Sequence, residues 1–164
     1  MLKLGVFLGI IFLFIVGVFF VWSVQPHTIV DNITSLNKSI IVMAQGRAAG
    51  VGILSKRNTN IFSPFEGVVT EGTFVEKGSG NIYTSINIET KDKGFVAVIV
   101  GQKIEKKYYQ VKDNVKRGQK LAKITGDVEI TGKKMKIFTY VLRSNLEVAN
   151  LDQALTLKML KQNE

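Results

Sequence analysis

The sequence predicts a mostly β domain carried behind a single N-terminal transmembrane helix, with a short helix closing the chain. Three features predict it: an uncharged apolar run near the start, a succession of short segments rich in Val, Ile, Phe and Tyr divided by Gly, Asn, Asp or Lys, and a tail with leucines at nearly helical spacing. Composition sets the bounds. A chain of 164 residues with 15 Gly, 2 Pro and 46% hydrophobic content suits one folded unit with many turns. It has no cysteine and a single histidine, His27, which excludes disulfides, thiolate metal sites, a cysteine nucleophile and any His-rich zinc cluster. No metal site is expected.

The first element is the apolar run 4–22, which carries no charge and as a helix would rise roughly 28 Å, the thickness of a bilayer core. Hydrocarbon offers the backbone no hydrogen-bond partner, so a helix is the form such a run takes there, with Trp22 suited to the interface. Residues 1–23 are therefore read as a single-pass anchor. A cleaved signal peptide is the rival, with Val21 and Ser23 passable before a cut after Ser23. Lys3 favours an N-inside placement, but the far flank carries only Asp31 and Lys38, so the side of the soluble domain stays open.

Residues 24–38 read as a polar connector, and 39–144 as the β domain. Strands are expected at 39–43, 51–54, 67–70, 82–88, 95–100, 108–111, 120–124 and 136–142. Alternation is clearest at 82–88, where Ile82, Thr84, Ile86 and Ile88 share one face. The tail 145–164 places Leu146, Leu151, Leu155 and Met159 on one side of an expected helix.

Nearly all of the formal net charge of +9 lies beyond Lys3. Lys103, Lys106, Lys107, Lys112, Lys116, Arg117, Lys120 and Lys123 crowd one stretch. Near a bilayer each would add about 1 kcal/mol of attraction to acidic lipid, which makes membrane lipid, anionic phospholipid in particular, the first candidate partner. Solvated faces of strands and turns explain the same run equally well. Nucleic acid is not expected, because no aromatic binding motif or helical reader accompanies the lysines.

Two segments echo one another, Ser63-Pro64-Phe65-Glu66-Gly67-Val68-Val69 and the stretch from Val111 through Val115, Gly118 and Gln119 to Leu121. The pairing resembles the barrel-sandwich hybrid group of compact β domains. Biotinyl and lipoyl carriers of that group need a lysine in the hairpin after the Gly-Gln-x-Leu strand, where this chain has Ile124-Thr125-Gly126-Asp127-Val128; Met135-Lys136 reads only as a packed Met beside an ordinary surface Lys. Lysostaphin-like zinc endopeptidases need three His and Asp ligands around an open tetrahedral metal. Their H-x-G-x-D stretch falls on Ala48-Ala49-Gly50-Val51-Gly52 and their H-x-H on Lys136-Ile137-Phe138, so both ligand sets are replaced.

The fullest resemblance is to phosphatidylserine decarboxylases, over about residues 53–130. Ile53-Leu54-Ser55, Phe62 to Val69, Asn81 to Thr90, Ile104 to Tyr108 and Val115-Lys116-Arg117-Gly118-Gln119 follow the order of that family's segments. The resemblance implies self-cleavage before a serine in a Gly-Ser pair, which becomes a pyruvoyl group that decarboxylates the aminophospholipid, assisted by an Asp-His pair. Here those positions fall on Gly126-Asp127 and on Asn58-Thr59-Asn60. A carboxylate has no hydroxyl for the rearrangement, and amides are not bases near neutral pH, so no catalytic residue is intact and no pyruvoyl cofactor is expected. Thr125 and Thr131 are the remaining hydroxyls, each preceding a Gly.

The expected function is that of a membrane-anchored, non-catalytic relative of the decarboxylases, binding anionic phospholipid or serving as an accessory subunit of a membrane complex. The alternative is an active carboxy-lyase that makes phosphatidylethanolamine through an altered processing site.

Overall fold

A computed structural model describes residues 26–30, 37–44, 46–55, 58–90 and 94–143. The expected anchor with Trp22 and the expected terminal helix at 145–164 lie outside these residues. Among the described residues no helix is long and apolar enough to cross a membrane.

The described chain is mostly β: β1 (Asn37–Ala44), β2 (Arg47–Ser55), β3 (Thr59–Phe62), β4 (Gly67–Val75), β5 (Ile82–Glu89), β6 (Phe95–Gly101), β7 (Lys103–Lys107), β8 (Asn114–Val115), β9 (Lys120–Thr125), β10 (Val128–Ile130), β11 (Lys133–Met135) and β12 (Ile137–Arg143). They form a seven-stranded sheet in the order β1-β2-β12-β6-β5-β4-β8, a three-stranded sheet β3-β9-β7, and the hairpin β10-β11. Neighbours run antiparallel; Gly46, Gly80 and Gly132 take positive φ in the hairpin turns β1-β2, β4-β5 and β10-β11, and Gly118 and Gly126 take it where the chain passes from one sheet to another.

Period-two alternation explains both faces of the large sheet. One face meets the three-stranded sheet: Val51, Ile53, Val69, Ile86, Ile88, Ala97, Ile99, Ile137 and Val141 pack with Ile61, Leu121, Ala122 and Ile124. Ile29 and Val30 join this core, and Val30 bridges Ile61 at the outer side of β3. The other face carries Val42, Tyr83, Val98, Val100 and Phe138 under the β10-β11 hairpin, which contributes Val128, Ile130 and Met135. Tyr83 fastens that hairpin, its hydroxyl donating to the carbonyl of Glu129 at 3.3 Å and accepting from the Glu129 amide at 3.0 Å.

Two expectations are corrected. Residues 108–111 form a bend and turn, not a strand: Asp113 Oδ2 accepts from the Gln110 amide at 2.7 Å, and Lys112, at φ 75°, donates its amide to Val69. Lys136 is not a surface lysine; it is buried in the bend between β11 and β12, and its ammonium meets Asp127 Oδ1 at 2.6 Å. Four short strands, β3, β7, β10 and β11, carry too few residues, or in β7 and β11 too many charges, for alternation alone to reveal them.

Candidate functional site

Pairing of β3 with β9, Thr59 opposite Ile124 and Asn60 opposite Lys123, puts Asn58 and the Gly126-Asp127 turn at one end of the small sheet. The positions that the decarboxylase resemblance singles out are thus neighbours in the fold. The Gly126-Asp127 turn has structural work. Gly126 sits at φ 74°, where the Gln102 side-chain oxygen occupies the space a Cβ would need, and the same oxygen accepts from the Asp127 amide at 3.1 Å. Asp127 spends its carboxylate on buried Lys136. Asn58 is exposed, and Asn60 is half-buried on β3.

Neither threonine is equipped to replace the serine. Thr131 donates its hydroxyl to its neighbour's carbonyl, Ile130 O, at 2.8 Å, and Thr125 ends β9 opposite Lys103. His27 packs at the other end of the sheet, tilted against Phe62 at 6.1 Å and against Gly118. Phe62 pairs with Lys120, and the six steps from there to Gly126 at about 3.4 Å each set roughly 20 Å between the imidazole's end and the turn.

A second constellation lies where β2 crosses β12. Phe138 stands opposite Gly52 and Thr139 opposite Val51, so the two stretches that match the zinc-ligand segments are adjacent in the sheet. The space between them is filled. A Cβ on Gly50 would meet the Phe138 ring at 2.6 Å, and one on Gly52 would meet Met135 Sδ at 2.5 Å. Two glycines are needed because ring and thioether lie directly on the β2 backbone. Phe138 continues into an aromatic cluster, 5.6 Å from Phe74 and 5.5 Å from Tyr140, with burial raising the Tyr140 phenol. No group of three or more His, Asp or Glu able to hold a metal occurs among the described residues. Sequence reasoning missed Phe74, Met135 and Tyr140 as a unit; the alternation of Phe138, Tyr140 and Leu142 was the signal for half of it.

The third constellation is the basic stretch. Lys103, Lys106 and Lys107 lie on β7 and Lys120 and Lys123 on β9, while Lys112, Lys116 and Arg117 occupy the turns between. Tyr108 gathers two of them: Lys106 Nζ and Lys120 Nζ lie 5.1 and 4.7 Å from its ring centroid, within cation–π reach. Others are paired. Lys123 meets Glu105 at 3.0 Å, and Lys107 meets Glu71 at 2.6 Å. Glu71 also accepts from the buried Tyr109 hydroxyl at 2.9 Å, and Lys107's hydrogen bond holds the Glu71 carboxyl below its ordinary value, burial partly opposing it. Burial and the Glu71 charge raise the Tyr109 phenol strongly.

No family model matches the sequence, and no curated protein matches it. A solved structure does resemble it in fold. A chain of the SpoIIQ–SpoIIIAH pore-forming complex superposes with a TM-score of 0.52 at 11% identity, covering 79% of this chain and 89% of that one. The likeness establishes a related β-rich architecture.

Proposed function

We propose that this chain is a non-catalytic β domain of the barrel-sandwich hybrid type, held at a membrane by its N-terminal segment, that acts as an accessory subunit of a membrane-protein assembly. One observation carries the reading: at the zinc-ligand positions and at the processing turn that the resemblances single out, the space is packed or the side chain is held in a structural bond. Gly50 and Gly52 are covered by Phe138 and Met135, and Asp127 is bound to Lys136. The fold neighbour's membership of a pore-forming complex supports an assembly role. The decarboxylase resemblance draws support from no family model and no curated protein.

The test is affinity purification of the tagged full chain from detergent-solubilised membranes. A membrane protein recovered in fixed stoichiometry is expected, together with an intact mass that shows one uncut polypeptide. A solitary chain, or two fragments divided near Gly126 with a hydrazine-reactive carbonyl, would overturn the reading.

Lipid binding is the second reading, favoured by the convergence of Lys106 and Lys120 on Tyr108. It requires flotation of the chain with phosphatidylserine vesicles that disappears in high salt.

A further inference from the structure

Four strand edges close the two sheets, and the molecule treats them differently. β8 ends the large sheet with two residues only. β3 has Val30 bridged to Ile61 along its outer side. β7 carries Lys103, Glu105, Lys106 and Lys107. Shortness, a covering segment and charge are the devices by which sheets refuse further pairing. Among the described residues the fourth edge, β1, is the least protected of the four. It runs for eight residues, Asn37–Ala44, with Lys38 its sole charge, and β2 is its sole strand partner among the described residues. Ile41 and Met43 project from it 51% and 47% exposed, while Ile40 and Val42 turn inward to the sheet's other face. The ladder between β1 and β2 shifts after Val42, but the extra residue, Ala49, belongs to β2, so β1 keeps an unbroken alternation.

We infer that β1 is an assembly edge at which a second copy of this chain pairs, antiparallel and about a two-fold axis, to continue the seven-stranded sheet across two molecules. The sequence of the edge is suited to its own copy. Centred on Ile41, a two-fold ladder sets Ile41 against Ile41, Met43 against Ser39, and Lys38 against Ala44. Exposed apolar side chains then meet on one face, and the two Lys38 positions do not pair with each other, so like charges are not placed directly opposite. Such an interface is isologous and closes at two copies. This inference goes beyond the docking role and stands on the strand edge alone.

The absence of cysteine makes the test clean. The full chain in detergent micelles carries Ile41→Cys in one variant and Glu105→Cys, on the charged edge of β7, in another. Mild oxidation is expected to link the first into a covalent dimer and to leave the second monomeric. Separately, Ile41→Lys with Met43→Lys places ammoniums near the axis; it should weaken dimerisation about tenfold or more in sedimentation while leaving the β-sheet circular dichroism unchanged. A wild-type chain that sediments as a monomer at high micromolar concentration, or equal cross-linking of both cysteine variants, would overturn the inference. Because it uses the purified chain alone, its failure leaves the docking role standing, and recovery of a heteromeric complex does not establish it.

Discussion

Asp127 shows most directly how one residue redirects a site. Its carboxylate holds an ammonium that the fold has removed from water, and Lys136 has no comparable partner among the described residues. Asp127→Ser would restore the Gly-Ser pair of the decarboxylase pattern. The expected result is a chain that stays uncut in intact mass and loses about 1–2 kcal/mol in thermal or chemical unfolding, because a buried charge is left unpaired; fragments at this position would contradict it. Glu71 offers a pH test. Lys107 and Tyr109 hold its folded pKa below the ordinary value of 4.5, so the carboxylate adds stability that is fully present above that value and is lost as pH falls through the lower, folded one. Glu71→Gln should flatten the stability profile on that acid side, with little change in slope above pH about 6. An unchanged acid slope would show that the pair with Lys107 contributes nothing.

At the scale of elements, β2 and β12 form a pair whose contact depends on missing side chains. Gly50 and Gly52 let a phenyl ring and a thioether lie on the strand, and burial of Phe138, Met135 and Val42 stabilises the outer face of the large sheet. Gly52→Leu is therefore expected to cost about 1–3 kcal/mol through overpacking, even though leucine is compatible with a strand. Joining it to Met135→Ala should recover part of the loss in a double-mutant cycle, since the added volume enters the space the thioether leaves. Independent, additive effects would mean that Met135 is not what fills the position. The strand pattern was legible wherever one face is buried and the segment is long: 82–88 and 136–142 correspond to β5 and β12. It was illegible at β7, whose lysines and glutamate hide a strand that pairs with β9 and buries only Ile104 in part, and misleading at 108–111, where Tyr and Val sit in a turn.

For the whole molecule, two apolar clusters lie on opposite faces of one sheet, and β2, β5, β6 and β12 contribute to both. Unfolding should be a single cooperative transition, because neither cluster can be lost without exposing the strands that form the other. The full chain in micelles, heated while far-ultraviolet and near-ultraviolet dichroism are followed, should give coincident curves; a separate early loss of the near-ultraviolet signal would show one cluster to melt before the other.

What the sequence determined by itself was the class of structure and the limits on chemistry. Alternating apolar residues require buried strands, and a chain with one histidine and no cysteine has no thiolate metal site, His-rich zinc cluster or cysteine nucleophile, whatever its fold. What only the tertiary structure decided was adjacency. That Gly52 faces Phe138, that Asp127 reaches Lys136, and that β1 alone among the sheet edges is long and nearly uncharged all depend on contacts between residues distant in the chain. Local pattern reports which way a side chain points; backbone pairing and the meeting of the two sheets select what it touches.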